Sequence, residues 1–443
     1  MKKTIFILLL STVSLYAQDH KWTLRACVDY ALENNISIKQ SEMDLKTSEI
    51  NKKDAIGNFL PSLNASASHS WSIGLDQITS PSGPITVTSK SRNLSGGISS
   101  SLDLYKGQRN LHQLHRSNLQ ILADQYKLDN MKDDISLFVA NSFLQILFNK
   151  EQLKVLKSQL EITKQDLKRT QELVDAGSLP KGDVLEIQAT LATQEQQIVD
   201  SENALLISKI ELAQTLLIED YEHFDIVDLN YDVPLTNILK ESPSTIIEKA
   251  KETRYEVKIA ETNTKIAEDN LKIAKGALQP TLTGSYSFSS NYFTSGLFDT
   301  PDFETQISDN KRHNISLRLN IPIFNGFSLR NDVKRNKVNL ERAKTQQEQA
   351  NLDLETKVYQ AYNDARGALK AYEAAQKTLS AREEAFSYSK ERYNVGLLNA
   401  FDYGQSQNRY EAAQSDVIRT KYDYIFKLKV LEFYFGIPIT ELN

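Results

Sequence analysis

The chain has 443 residues, with 52 Lys and Arg against 57 Asp and Glu and a formal net charge of −5. Mean hydropathy is −0.43, and past the N-terminus no stretch approaches the length of a transmembrane helix, which excludes a helical membrane bundle. The mild acidity leaves no basic footprint for nucleic acid, and Cys27, the single cysteine, excludes an intrachain disulfide.

In chain order, Met1-Lys2-Lys3, an apolar run over 5–15 and Leu15-Tyr16-Ala17 read as a secretory signal peptide, residues 1–17, cut after Ala17. The run is too short for a spanning anchor. Losing Lys2 and Lys3 leaves 50 basic residues against 57 acidic ones, a charge of −7. Leu24-Arg25-Ala26-Cys27 falls short of a lipoprotein box because of Arg25, so Cys27 reads as a helix residue. Residues 24–58 read as helix with a break at Asn34-Asn35.

Alternation follows. Leu63, Ala65, Ala67, His69, Trp71 and Ile73 occupy odd positions, and Asn64, Ser66, Ser68, Ser70 and Ser72 even ones. This predicts a two-faced strand over 62–74. Residues 75–92, with Pro81, Gly83 and Pro84, read as a loop. A second alternating run predicts a strand over 93–105. Residues 108–176 lack proline and glycine, so they predict one helix of roughly 69 residues, about 100 Å long. His112 and His115 stand at i, i+3 spacing, but no third metal ligand is near in sequence. Gly177-Ser178-Leu179-Pro180 ends that helix. A return helix follows over 181–217, with Val184, Leu191, Ile198, Leu205 and Leu212 at coiled-coil spacing.

Residues 218–243 are acidic and irregular and read as a linker. Then the pattern repeats. A helix is expected over 245–277, with Thr245 and Glu248 at capping-box spacing. Strands are expected over 281–293 and 313–324, separated by a long loop. A second long helix covers 327–395, and a return helix 400–435. Pro61 pairs with Pro280, Gly107 with Gly326, Gly177 with Gly396 and Asp183 with Asp402, all 219 residues apart. The domain plan is therefore a first repeat over 18–217, a second over 244–436, and a tail over 437–443. In each repeat the two shorter helices together match the long one, which predicts a rod with strands at one level and the hairpin tips far away.

The fold class is mainly α with a small β part. Strands of about ten residues with a Ser/Asn face and an apolar face carrying aromatics match a membrane barrel wall. Four strands cannot close a barrel, and lipid forbids open edges, so identical chains must share them. The competing reading is a soluble β-sandwich on a structural coiled coil of the periplasm or cell surface. No phosphate loop, nucleophile elbow or metal cluster suggests an enzyme or a cofactor.

The whole mature chain resembles the TolC-like outer-membrane efflux and secretion channels. Thr23-Leu24 and Ala31-Leu32-Glu33-Asn34-Asn35 look like that family's opening helix. Leu60-Pro61-Ser62-Leu63 and Gln279-Pro280-Thr281-Leu282 look like its helix-to-strand passages. Ile321-Pro322-Ile323-Phe324-Asn325-Gly326 and Arg392-Tyr393-Asn394-Val395-Gly396-Leu397 look like its strand exit and helical turn. Ile36 and Tyr255 stand where the family often has proline.

The resemblance implies a homotrimer in the outer membrane of a Gram-negative bacterium, with a twelve-stranded barrel and a periplasmic helical tunnel. It implies a passive channel, serving a tripartite efflux or type I secretion system through a periplasmic adaptor and an inner-membrane pump. It also implies two sites. Adaptor-binding tips would comprise Leu173, Val174, Gly177, Leu179 and Asp183 with Tyr393, Val395, Gly396 and Leu397. A periplasmic constriction would carry Asp402, with Gln405 where some members have a second acid.

Overall fold

The computed structural model describes residues 21–228 and 238–439. The expected signal peptide, most of the linker's centre and the last four residues lie outside these. The elements run α1 Leu24–Asn34, α2 Ile36–Gly57, β1 Ser62–Ser80, β2 Gly83–Lys106, α3 Arg109–Asp175 and α4 Lys181–Thr215. A 3-10 turn at Ile238–Lys240 precedes α5 Pro243–Thr253, α6 Tyr255–Gly276, β3 Thr281–Ser295, α7 Phe303–Asp309, β4 Arg312–Asn320, α8 Ser328–Asn394 and α9 Ala400–Phe435. The 219-residue offset holds for backbone detail. α1 and α5 have 11 residues each, α2 and α6 have 22, and α3 and α8 have 67. Contacts divide the chain into two compact units. One comprises 42–127 and 255–350; the other holds the remainder.

The helix breaks form without proline. α1 ends at Asn35, with ψ 134°, and α5 ends at Arg254, with ψ 132°. The Asn35 side chain accepts a bond from the Ser37 amide at 2.9 Å and donates to the Thr215 carbonyl at 3.2 Å. Arg254 is buried, pairs with Asp133 at 3.1 Å and lies over the Phe433 ring at 3.9 Å. Side-chain partners thus hold the extended residue that a following proline would favour. The expected cap at Thr245 is corrected: Ser242 accepts from the Thr245 amide at 3.2 Å, and Pro243 takes the first helical position. Proline fits there because its missing N–H is one the helix leaves unpaired anyway.

In the strand-bearing unit the sheet order is β1-β2-β3-β4, antiparallel throughout. The expected loop over 75–92 is instead ladder, running from Ser62↔Ser101 to Ser80↔Gly83. Pro81 and Gly83 belong to the turn itself, and the flanking Ile, Val and Thr are β-branched strand formers. β4 is corrected the other way. It stops at Asn320 rather than 324, because Pro322 has no amide for a ladder. The expected long loop before β4 contains α7. There the Gln306 side chain accepts from the Phe293 amide and donates to its carbonyl, both at 2.9 Å, and so occupies the β3 edge that β4 leaves bare.

The sheet's two faces differ in chemistry. One carries exposed Leu63, Trp71, Ile98, Tyr286, Ile315, Leu317 and Leu319. The other is mostly Ser, Asn and Thr around a few charges, among them Asp76, Asp103, Lys106, Arg312 and Arg318, with serine hydroxyls bonded across strands at Ser62–Ser101, Ser68–Ser95 and Ser285–Ser316, 2.7–2.9 Å apart. No described helix is long and apolar enough to cross a membrane. His112 and His115 do find a third group, Asp269 of α6. It is 1% exposed, contacts His115 directly and lies 3.8 Å from His112. Lys272 also reaches Asp269 at 3.1 Å. Among the described residues no group of three could hold a metal.

In the other unit an apolar core joins Leu24, Val28 and Ala31 of α1, Phe143 and Ile146 of α3, Leu212 of α4 and Ile425 of α9. Cys27 sits inside it, and burial pushes its thiol up to about 12.

Candidate functional site at the helical hairpin ends

Both hairpins turn on a glycine. Gly177 and Gly396 each have φ +74°, a left-handed conformation that L side chains rarely adopt. The turns are closed identically. The Gly177 amide reaches the Val174 carbonyl at 2.9 Å and Ser178 reaches Leu173 at 2.8 Å. Gly396 reaches Tyr393 at 3.0 Å and Leu397 reaches Arg392 at 2.8 Å. This pair of bonds is the Schellman C-cap.

Beyond that common backbone the two ends diverge. Val395 and Leu397 are each 69% exposed, and Phe401, which the sequence reading did not single out, is 62% exposed. Leu173, Val174 and Leu179 are half-buried, and Leu179 packs on the cluster of Ile187, Phe386, Tyr393 and Tyr403. Two of the expected tip residues are buried within this chain: Tyr393 is 4% exposed and Asp183 is 9% exposed. Tyr393 points inward because its ring stacks on Tyr403, centroids 4.7 Å apart, and its hydroxyl meets Thr170 of α3 at 2.9 Å. Phe386 stacks on Tyr403 and Tyr410 in turn, at 5.6 and 5.2 Å.

This aromatic column ties α8 and α9 to α3. The Tyr403 hydroxyl donates to Asp166 at 2.5 Å, and Lys390 stands 3.4 Å from the same carboxylate. Burial, together with the Asp166 charge, pushes the Tyr403 phenol up.

Further along, the seam between α3, α4 and α9 becomes polar. Gln407 donates to Thr163 and to Glu411, both at 2.8 Å. Gln194 of α4 donates to Glu411 at 2.9 Å. Gln159 donates to Gln414 at 2.8 Å, Gln414 donates to Tyr410 at 2.8 Å, and Gln152 donates to Ser415 at 2.9 Å. Gln159, Phe386, Gln407, Tyr410 and Glu411 help line a cavity of about 80 Å³ in this seam. Burial raises the Glu411 carboxyl against the lowering effect of its two glutamine donors. A helical seam normally packs apolar residues, and buried polar pairs trade stability for a defined register. This end of the bundle is therefore held by directional bonds, with the buried Gln152 and Gln194 side-chain oxygens left without a partner among the described residues, where the Phe143–Ile425 core is apolar.

Asp402 is exposed at the start of α9. The Asn399 side chain accepts from the Asp402 amide at 2.8 Å and donates to its carboxylate at 3.0 Å. The carboxylate is thus fixed at a helix N-terminus, where the helix dipole favours it. Gln405 is exposed and accepts from Arg409 at 3.1 Å, so a cation stands about two turns along α9 from the acid. Asp166, Thr170, Glu411 and Arg409 escaped the sequence reading. Their signal was available in the repeat itself. The aromatics Phe386, Tyr393, Tyr403 and Tyr410 stand 219 residues after the aliphatics Leu167, Val174, Val184 and Leu191. The column forms where the halves differ.

Comparison with known proteins agrees with this architecture. The outer membrane efflux protein family matches residues 27–216 and 246–436. The chain is 24% identical over 332 residues to the pyoverdine export outer membrane protein OpmQ of Pseudomonas aeruginosa, covering 74% of this chain and 67% of that one. Its fold is similar to that of the outer membrane protein VceC of Vibrio cholerae, with TM-score 0.78, 14% identity and coverage of 94% and 96% of the two chains. It is equally similar to that of the outer-membrane channel OprN, with TM-score 0.78, 18% identity and coverage of 94% and 90%. The chain belongs to the outer membrane efflux protein family and is an outer-membrane channel with a helical tunnel in the periplasm.

Proposed function

We propose that the chain works as a homotrimer whose three sheets close one twelve-stranded barrel, forming the passive exit duct of a tripartite efflux or type I secretion system. The carrying observation is the sheet. It pairs a serine face with an exposed apolar face and ends in two open edges, β1 and β4. Apolar groups facing lipid gain by staying out of water, but the unpaired backbone of an edge cannot stay in a bilayer. Pairing β4 of one copy with β1 of the next removes both edges. Light scattering on detergent-extracted protein should give the mass of three chains. A monomer, or release of the protein by carbonate without detergent, overturns the reading.

The hairpin ends are the docking and closing end. Val395, Leu397 and Phe401 offer an apolar patch for a periplasmic adaptor, which would join the duct to an inner-membrane pump. Gly177 and Gly396 shape the turns, and Leu173, Val174 and Leu179 support them from beneath. The Asp402 carboxylates of three copies, held by Asn399, would ring the inner end and favour cations. The polar seam would let the tips part without exposing a large apolar core. A photoreactive residue at Leu397 should capture an adaptor in cells. Capture of the channel alone removes the docking assignment.

A further inference from the structure

We infer that the barrel wall favours anionic solutes, through two tiers of guanidinium groups set in a lining rich in hydroxyls. The inference rests on the trimeric barrel proposed above. Where three or four strands pair, the serine face carries four charged residues: Asp103, Lys106, Arg312 and Arg318. Lys106 is there because of a bulge. The register shifts between Asp103 and Tyr105, which returns Lys106 to the face it would otherwise leave. Its ammonium then lies 2.6 Å from Asp103, which also accepts from Thr283 at 3.1 Å. That carboxylate is therefore neutralised within its own strand.

The two arginines have no such partner. Arg318 is opposite Thr283 and Arg312 opposite Ser289. Both are exposed, and neither makes an ion pair among the described residues. Around them stand Ser285, Ser287, Asn314, Ser316 and Asn320. Short hydroxyl and amide groups neither screen a guanidinium by pairing nor crowd it. Arginine presents a planar fork that meets a carboxylate or phosphate with two parallel hydrogen bonds. A tier of such groups in a wide aqueous wall gives weak, exchangeable contacts, which conduction requires. The solute class is small anions carrying carboxylate or phosphate together with hydroxyls. Acids do occur near the outer end: Asp76 lies on the serine face of the β1–β2 hairpin opposite Val87, and Asp299, Asp302, Glu304 and Asp309 lie between β3 and β4, beside Lys311. The wall's arginine contribution is therefore read as a difference between variants.

The test is reversal potential in planar bilayers of neutral lipid under a potassium chloride gradient near 0.1 M, on Asp402→Asn channels, which lack the cation-favouring ring proposed above, with and without the Arg312→Gln, Arg318→Gln pair. Six lost charges in a lining bathed by salt with a Debye length of about 10 Å should lower the chloride-to-potassium permeability ratio about fivefold. Arg318→Glu should move it further in the same direction. Channels whose reversal potential ignores all three substitutions overturn this inference and leave the barrel standing. Protein that is trimeric and extracted only by detergent keeps the proposed function whatever the selectivity. Failure of that mass or extraction test removes both.

Discussion

Replacing Tyr403 with Phe should loosen the hairpin end without disturbing the rest of the bundle. The substitution keeps the ring, so the stacking on Tyr393 and Phe386 at 4.7 and 5.6 Å survives. It removes one atom, the hydroxyl that donates to Asp166. The Asp166 side chain is 13% exposed and keeps only Lys390 at 3.4 Å. A hydrogen bond to a charged group is worth about 1.5–3 kcal/mol, and at 1.4 kcal/mol per decade the tip's opening equilibrium should rise about tenfold to a hundredfold. Hydrogen exchange on detergent-solubilised protein, corrected for intrinsic rates, reads this directly. Amides in the first turns of α9 and in α3 around Asp166 should exchange faster by that factor, while those near Ile425 and Leu428 stay unchanged. Tyr410→Phe, which removes a neutral partner of Gln414, should have the smaller effect of about 0.5–1.5 kcal/mol. Equal acceleration along all of α9, or none at the tip, would refute the idea that this bond holds the end closed.

Other consequences are measurable in the same preparation. The Glu411 carboxyl is raised by burial, so its contribution to tip stability is full at acidic pH and is lost as pH rises through its folded value. Glu411→Gln should remove that dependence while keeping an acceptor for Gln194 and Gln407. Asp225 behaves oppositely. Burial opposes its charge, but Lys150 and Lys209 at 2.8 and 2.9 Å outweigh that and lower it, so their support is lost as pH falls. Gly396→Ala forces a left-handed L-residue at φ +74° and should cost about 1–2 kcal/mol, seen as a lower melting temperature. Phe401→Asp should abolish adaptor capture by the photoreactive residue at position 397 without altering trimer mass, because the Phe401 side chain is exposed.

The architecture was largely legible because it depends on periodicity. Alternation marked the sheet, and the absence of glycine and proline over 108–176 marked α3. A shared 219-residue spacing marked the repeat. What was missed depended on side-chain geometry. Pro81, Gly83 and Pro84 suggested a loop, yet they sit within and beside a tight turn of a continuous hairpin. Gln306 gave no sign that its amide would serve as a surrogate strand. Tyr393 and Asp183 were assigned to the tips by their nearness to the turn glycines and by the family resemblance. Their burial follows from the Tyr403 stack and from packing among helices more than 200 residues apart, which local pattern cannot report. The departures between halves were the overlooked signal. A duplicated backbone makes equivalent residues interchangeable unless function or packing differs, so aromatics facing aliphatics across the repeat identify the column that joins α8 and α9 to α3.

The breaks at Asn35 and Arg254 allow a test of how the repeat bends its helices. Asn35 has ψ 134°, the extended value that a following proline favours. Ile36 is the first residue of α2, is 54% exposed, and the hydrogen bonds at the break use the amides of Asn35, Ser37 and Lys39. Proline at position 36 should therefore fit as it does at Pro243 in the other half. It should stabilise by about 0.4–1 kcal/mol by narrowing the unfolded ensemble. Asn35→Ala should cost about 0.5–2 kcal/mol through loss of the Ser37 cap, and additionally the bond to Thr215. If the side chain's main task is to hold this backbone, Ile36→Pro should recover much of the Asn35→Ala loss in the double variant. Non-additivity of that kind, measured by chemical denaturation, is expected for neighbours sharing one geometry. Strictly additive effects would mean that Asn35 acts by tying α1 to the end of α4, with the bend fixed by packing elsewhere. Arg254→Ala supplies the contrast. Its guanidinium is buried against Asp133 and Phe433, but Asp133 itself is 31% exposed, so losing the charged bond costs about 1.5–3 kcal/mol. No proline can return that, so the two equivalent breaks should answer the same rescue differently.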